Sequence, residues 1–214
     1  MNDAAKPDHP GDRKTGRVEA FSDGVFAIAV TLLVLDLKVP KSGDLGGASL
    51  LSALARQWPA FLAYLTSFAT ILVMWVNHHK MFNHIRRTDD RFLFLNGLLL
   101  LFVTFVPFPT ALVAEYLRHP QSRAAAVIYA GTYVALAIAF NLLWNYASSS
   151  RSLLASDADL AQVQAIRKQY RTGPLLYAIA FALAFVSVGA SLTMCLMLAV
   201  YWALTGWLTV HRAG

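Results

Sequence analysis

Polar and ionisable side chains gather at the start of the first long apolar segment of the chain. Residues 17–37 read RVEAFSDGVFAIAVTLLVLDL, and the first two turns contain Arg17, Glu19, Ser22 and Asp23. Ionisable groups at the edge of a membrane span are costly, so they usually have partners and often have a function. Two chemistries fit this cluster: a hydrogen-bonded network that joins helices, or a relay that passes protons.

An apolar stripe follows on a different face of the same segment. Each residue turns an α-helix by about 100°, so Ile28, Thr31, Leu32 and Leu35 share one side. Asp23 points roughly 140° away from Ile28. Such a stripe is ordinarily explained by packing inside a helix bundle, and the alternative is the lining of a path through the membrane. The residues alone leave both explanations open.

Composition places these residues in a membrane. The chain has 214 residues, of which 57% are hydrophobic and 14% are charged. This is too apolar for an ordinary soluble domain and predicts an all-α integral membrane protein. No cleavable signal peptide is recognised, and residues 1–16 are polar and predicted to form a disordered cytoplasmic tail. The single cysteine, Cys195, excludes an intramolecular disulfide.

A membrane-crossing helix needs about 20 apolar residues, and the chain supplies six such stretches. Pro107 and Pro109 should kink the third, and the long apolar run over residues 175–210 should turn near residues 187–191. Residues 148–172 are predicted to be a cytoplasmic linker with an exposed helix, so that residues 17–214 form one six-helix domain. The expected spans cover residues 17–37, 58–76, 92–117 and 124–147 and the two halves of 175–210.

The distribution of positive charge predicts the orientation. With six spans, one side holds 13 of the 18 basic residues, which places both termini in the cytoplasm. The net charge of +6 then reflects topology, and no nucleic-acid-binding motif accompanies it. These 13 residues are Lys6, Arg13, Lys14, Arg17, Lys80, Arg86, Arg87, Arg91, Arg151, Arg167, Lys168, Arg171 and Arg212.

Trp75, His78 and Asn96 are the predicted partners of the first polar cluster. They lie in or beside the second and third spans, and Ser22 and Asp23 can accept hydrogen bonds from Trp75 or His78. The structural interpretation is preferred over a proton relay, with Arg17 either paired with Asp23 or extended to the interface. His78 and His79 do not predict a metal site, because adjacent helical residues point about 100° apart.

The pattern Arg17-x-x-x-Phe21-Ser22-Asp23-x-x-x-Ala27 resembles the signature of the transmembrane protein 175 family. Further matching features cover residues 17 to 112. They are Trp75-x-x-His78-x-x-x-Phe82, then Leu95-Asn96, and then Pro107-Phe108. The family comprises endosomal and lysosomal potassium channels and their bacterial homologues. Phe21 joins Arg17, Ser22, Asp23, Trp75, His78 and Asn96 in the expected structural network.

The resemblance implies a weakly selective, potassium-permeable leak channel in the cytoplasmic membrane, built as a homotetramer of six-span subunits. The first helix of each subunit would line the pore, with Ile28 as the narrowest ring, Thr31 and Leu32 as the middle layer and Leu35 as the outer ring. A hydrophobic constriction blocks ions by excluding water, and the chain has no TVGYG filter. Neither an enzymatic activity nor a cofactor is expected; the alternative function is a secondary ion-coupled or proton-coupled transporter.

Overall fold

The computed structural model describes residues 10–47 and 49–211, which fold into nine α-helices and two short 3-10 turns. The only β-pairing within those residues is a single antiparallel bridge between Ile85 and Leu154. The predicted all-α class is therefore confirmed. The helices are α1 (Pro10–Leu32), α2 (Leu50–Arg56), α3 (Trp58–Phe82), α4 (Asp90–Phe105), α5 (Pro107–Tyr116), α6 (Ser122–Ser149), α7 (Leu160–Tyr170), α8 (Gly173–Val186) and α9 (Val188–His211).

Five helical segments in the described part of the chain are long and apolar enough to cross a membrane. The sixth expected span corresponds to α8, whose 14 residues extend only about 21 Å against a hydrocarbon layer of about 30 Å. The break between α8 and α9 falls at Ser187, inside the predicted turn. The five segments are Thr15–Asp36, Trp58–Phe82, Asp90–Tyr116, Ser122–Ser149 and Val188–Thr205.

The predicted kink at Pro107 separates α4 from α5. Proline has no amide hydrogen to donate to the preceding turn, so the helical hydrogen bonding is interrupted there. The Val106 amide instead bonds to the Val103 carbonyl at 3.2 Å, which tightens the turn. Beyond the break, the Thr110 hydroxyl donates to the Val106 carbonyl at 2.8 Å. The two helices therefore continue as one bent span.

A cluster of buried hydroxyl groups ties this bend to its neighbours. Because Thr110 gives its proton to Val106, the 2.7 Å bond to Ser67 must be donated by Ser67. The Ser67 oxygen in turn lies 3.1 Å from the Tyr129 hydroxyl and accepts from Tyr133 at 3.2 Å. Ser67, Thr110, Tyr129 and Tyr133 are all at most 1% exposed. The cluster satisfies these groups internally and joins α3, α5 and α6.

The N-terminal boundary of α1 corrects the predicted tail. The helix begins at Pro10, so residues 10–16 are helical, while residues 1–9 lie outside the described residues. Proline suits the first turn of a helix because an amide hydrogen there has no intrahelical acceptor. The Thr15 hydroxyl is buried and donates to the Arg86 carbonyl at 2.9 Å. This contact holds the first turns of α1 against the α3–α4 connection.

The segment 148–172 also differs from its prediction as an exposed linker. Its helix, α7, was expected from composition, but it packs on α6 through Val163, which is 1% exposed. The Ala155 amide donates to the His84 carbonyl at 3.0 Å, and the Arg86 amide donates to the Leu153 carbonyl at 2.9 Å. Although the segment is polar overall, it contains apolar residues such as Val163. These residues give it a face that packs against the rest of the protein, which an exposed linker would lack.

The contacts between loops divide the bundle into two ends. At one end, the start of α1, the α3–α4 connection and the α6–α7 connection meet through Thr15, Ile85 and Leu154. At the other end, Lys38 Nζ lies 3.0 Å from Glu115 Oε2, which joins the first connection to the end of α5. The connections expected on the same side of a membrane therefore lie at the same end of the fold.

Candidate functional site

Helix α1 has one buried face and one exposed face, and both are largely apolar. Ser22, Phe26, Ala29 and Leu33 are at most 2% exposed, which matches the i, i+4, i+7, i+11 spacing of a helix packed along its length. These residues lie against α3 and α4. α1 is therefore fixed in rotation by its buried face.

The apolar stripe lies on the opposite side of α1 and is not covered by the other residues that the structure describes. Ile28 is 59% exposed, Leu32 41% and Leu35 73%, and Thr31 is also exposed. Packing inside a single chain, the ordinary explanation of such a stripe, is therefore wrong for these four residues. Thr31 donates its hydroxyl proton to the Ile28 carbonyl at 2.9 Å, which leaves its oxygen lone pairs facing outward.

Three side chains from three helices form a buried hydrogen-bonded chain behind α1. Asn96 Nδ2 donates to Ser22 Oγ at 2.9 Å, and Ser22 Oγ donates to the Val18 carbonyl at 2.8 Å. Since the Asn96 amide nitrogen is thereby used, its Oδ1 atom accepts the 2.9 Å bond from His78 Nε2. Each of these side chains is at most 3% exposed. Ser22 therefore accepts from Asn96, whereas the sequence predicted that it would accept from Trp75 or His78.

The direction of these bonds decides which ring nitrogen of His78 donates a hydrogen bond. Nε2 has the proton, and Nδ1 has no hydrogen-bond partner in the described part of the chain. The ring lies between Phe26 and Phe82, at centroid distances of 5.3 Å and 4.7 Å. A neutral imidazole with its bare nitrogen toward apolar surroundings suits this position. The chain of bonds stops at Nδ1 and at the Val18 carbonyl, which favours a structural role over a proton relay.

Two further contacts join α1 to α3 near the same end. Trp75 Nε1 donates to Asp23 Oδ1 at 2.8 Å, and His79 Nδ1 lies 2.9 Å from Glu19 Oε1. The partners are four residues apart on each helix, and the order is reversed because the helices are antiparallel. The Trp75 and His79 rings stack with centroids 6.2 Å apart. The sequence places Glu19 in the polar cluster but does not pair it with His79, although their i, i+4 spacing from Asp23 and Trp75 could have indicated this contact.

Arg17 and Phe21 do not belong to the network inside one chain. Arg17 is exposed and makes no ion pair with any residue that the structure describes, since Asp23 accepts its bond from Trp75 instead. Phe21 is 67% exposed, so its predicted packing role within the protomer is wrong. The 100° turn per residue explains this, because the rotation that buries Ser22 carries Phe21 outward.

The adjacent histidines face different helices. His78 bonds to Asn96 of α4, whereas His79 contacts Glu19 of α1. Among the residues described, no group of three or more His, Cys, Asp or Glu side chains is placed to hold a metal ion. Cys195, far along the chain in α9, is buried. The two histidines therefore join α3 to two different helices.

Asp89 is an ionisable group that lies just before α4, outside the spans, and makes two hydrogen bonds. It caps α4 by accepting from the Phe92 amide at 2.8 Å, and it accepts from the Tyr146 hydroxyl at 2.6 Å. The Tyr146 bond is the main reason that the pKa of the Asp89 carboxyl lies below its usual value. Nearby, burial lowers the pKa of His84, which favours the neutral imidazole. Both groups stabilise the loops that surround the start of α1.

Comparison with known proteins identifies relatives for nearly the whole chain. Residues 17–107 match the family model described as endosomal/lysosomal potassium channel TMEM175. A potassium channel from Chamaesiphon minutus is 59% identical over 195 residues, which cover 91% of this chain and 96% of the relative. A potassium channel from Streptomyces collinus is 46% identical over 190 residues, which cover 88% of this chain and 91% of the relative.

The fold matches a solved structure as well. The crystal structure of a lysosomal potassium-selective channel TMEM175 homolog from Chamaesiphon minutus superposes with a TM-score of 0.83 at 57% sequence identity. The match covers 91% of this chain and 98% of that chain. The helical arrangement of this chain is thus already known from a solved relative.

Proposed function

The chain belongs to the TMEM175 family, and on that premise we propose that it forms a potassium-permeable channel. The observation that supports this most strongly is the division of α1 into a buried face and an exposed apolar stripe. The stripe has no partner within the described part of the chain, and the network behind it sets its direction. A helix held in this way can present the stripe to an axis shared with other copies.

A pore built from this stripe needs several chains, because one helix cannot enclose a path. We propose a homotetramer with α1 of each subunit at the axis, Ile28 at the narrowest ring, Thr31 and Leu32 in the middle and Leu35 toward the outer end. A ring of isoleucine side chains blocks ions when it excludes water and passes them when a small widening lets water enter. Such a pore lacks a filter of backbone carbonyls and is expected to select weakly for potassium.

In this arrangement Phe21 packs against a neighbouring subunit, whereas in the single chain it is exposed. Its 67% exposed ring lies one residue from the buried Ser22, on the part of α1 that would approach a neighbouring subunit. Apolar side chains of this size stabilise helix contacts by close packing. We therefore assign Phe21 to the contact between copies.

The proposed location is the cytoplasmic membrane, with both termini on the cytoplasmic side. The excess of basic residues at the end formed by Thr15, Ile85 and Leu154 supports this orientation through the positive-inside rule. The opposite end has the partly exposed Lys38–Glu115 pair.

Two experiments test the proposal. Purified protein in potassium-loaded liposomes should give currents that rise linearly with voltage and fall when potassium is replaced by a large organic cation. Uptake that saturates and depends on a second ion would favour a coupled transporter and overturn the channel assignment.

Cysteine cross-linking tests the position of α1. In a Cys195→Ala background, Leu35→Cys should form disulfide-linked dimers under mild oxidation, because a residue near a symmetry axis lies close to its own copies. Val200→Cys on α9, which is 50% exposed, is the matched control and should stay monomeric in denaturing gels. Cross-linking of neither variant, or of both equally, would remove α1 from the axis.

A further inference from the structure

A small cavity lies on the side of α3 that faces away from α1. It is partly open and is lined by residues of α3, α6, α8 and α9 together with Tyr170 at the end of α7, and its volume is about 60 Å³. Phe140 and Trp202 form part of its apolar wall. The proposed ion path does not use any of these residues.

Two tyrosine hydroxyl groups on this cavity have no hydrogen-bond partner among the described residues. Tyr177 is 4% exposed, and neither its hydroxyl nor that of Tyr170 forms a hydrogen bond with another residue in the described part of the chain. Buried tyrosine hydroxyls normally find a partner, because an unsatisfied polar group costs free energy. The nearby Tyr133 hydroxyl, in contrast, bonds to Ser67.

The carboxamides on the cavity add further hydrogen-bonding groups, and the orientation of one can be derived. Arg167 has only donors, so its 2.9 Å bond fixes the oxygen of Asn145 toward Nε. Asn145 must then donate its Nδ2 to the Oδ1 atom of Asn141. The Nδ2 donors of Asn141 consequently remain for the cavity. Asn77, on the facing side, makes no side-chain hydrogen bond to any described residue.

The wall of the cavity determines the class of molecule that fits. None of its lining residues is Asp, Glu, Lys, Arg or His, so a charged ligand would lose its hydration without a counter-ion. The phenols can both donate and accept, which suits a hydroxyl group. An apolar cavity of about 150 Å³ holds benzene, so this smaller one suits about three to five non-hydrogen atoms.

We propose that this cavity is a binding site for a small uncharged molecule with a hydroxyl group, of the size of a short-chain alcohol. The hydroxyl bonds to Tyr177 and to the amide of Asn141, and the hydrocarbon part packs against Phe140 and Trp202. The ligand lies one helix away from α1, because Trp75 and His78 project from the opposite side of α3.

Binding of 2-fluoroethanol to the full-length protein in nanodiscs tests the proposal by fluorine saturation-transfer NMR, with protein-free nanodiscs as background. We expect a saturable signal at millimolar concentrations and none with fluoroacetate, which has a similar size but is charged. Tyr177→Phe should weaken binding about fivefold to tenfold, as expected for one lost hydrogen bond. Tyr201→Phe, an exposed tyrosine on α9, is the control and should bind like wild type.

A second variant tests the site by filling the cavity, without removing a hydrogen-bonding group. Ala199→Leu fills the cavity and should abolish the saturable signal while size-exclusion chromatography shows the wild-type assembly. A signal that rises linearly with concentration, equal binding of fluoroacetate, or wild-type binding by Tyr177→Phe would each overturn the site and leave water as its only occupant. The readout requires no ion flow, so its failure is distinct from failure of the channel assignment.

Discussion

The indole nitrogen of Trp75 lies 2.8 Å from the carboxylate of Asp23, which joins α3 to α1 at the point where the exposed stripe of α1 begins. One helical turn away, Glu19 and His79 make the corresponding contact at 2.9 Å. Together the two contacts resist rotation of α1 about its own axis, and rotation is the movement that would turn Ile28 away from its present direction. The polar motif thus holds the apolar stripe of α1 in its orientation.

Replacement of Asp23 by Ala should destabilise the protein. Trp75 would keep a half-buried donor without an acceptor, at a cost of about 1 to 3 kcal/mol. Thermal unfolding in detergent and the yield of the assembled protein would measure this loss. Asp23→Asn should be milder because its amide oxygen still accepts.

Glu115→Ala is the matched control, since the Lys38–Glu115 pair is exposed and contributes at most about 1 kcal/mol. A stable Asp23→Ala protein with altered ion or proton preference would contradict the structural role of Asp23.

Replacement of Asn96 by Leu should cause a larger loss. It removes the acceptor of His78 and the donor to Ser22 together, so about 2 kcal/mol or more should be lost from the free energy of unfolding. Asn83→Leu, at an exposed position after α3, should change stability by less than about 0.5 kcal/mol. Equal melting temperatures for the two variants would mean that the buried chain does not hold α1.

Replacement of Ile28 by Asn should raise conductance or reduce the preference for potassium. A polar side chain at the narrowest ring retains water, and a wetted constriction passes ions more readily. Leu65→Asn is the matched control, because Leu65 on α3 is 60% exposed and Ile28 is 59% exposed. Single-channel currents should change only for Ile28→Asn; identical currents in both variants would place Ile28 outside the pore.

Replacement of Tyr146 by Phe should produce a pH-dependent loss of stability. The Tyr146 hydrogen bond lowers the pKa of Asp89 from its usual 3.8, so it stabilises the fold when the carboxyl is ionised, at pH values above 3.8. This contribution is lost as the pH falls through the lowered pKa. The melting temperatures of Tyr146→Phe and wild type should therefore differ near pH 7 and converge well below pH 4.

The effect should be small, because solvent screens this exposed pair. Tyr116→Phe should differ from wild type by the same amount at both pH values. A Tyr146→Phe difference that persists at the acidic end would contradict the assigned cause.

Replacement of Val163 by Asp should test whether α7 is docked. Val163 is 1% exposed against α6, so an unpaired carboxylate there should cost several kcal/mol. Leu160→Asp, in the same helix but 52% exposed, should be tolerated. Limited proteolysis of the 150–172 region would measure the difference, with rapid cleavage expected only for Val163→Asp.

Much of this architecture follows from local rules. The length of apolar runs predicts the spans, proline chemistry predicts the break at Pro107, and the mismatch between 36 apolar residues and one membrane thickness predicts the turn at Ser187. Ser22, His78 and Asn96 were expected to share one polar network because a buried polar side chain needs a partner, but the bonds that run from His78 through Asn96 to Ser22 were not predicted.

Other features depend on which helices become neighbours. Phe21 shares a motif with Ser22, yet only the rotation of α1 against α3 and α4 decides that one is exposed and the other buried. The hydroxyl cluster around Ser67 joins residues more than 40 positions apart, and no local pattern brings them together. The docking of 148–172 likewise depends on a surface of α6 and not on its own composition.

Because the buried face of α1 positions the helix while the outward face is left exposed by the rest of the described chain, the two sets of side chains are under separate constraints. Natural variation can reshape the outward face, which lines the pore in the proposed arrangement, without putting folding at risk. A lineage could thus diversify what passes through the membrane while its scaffold stays the same.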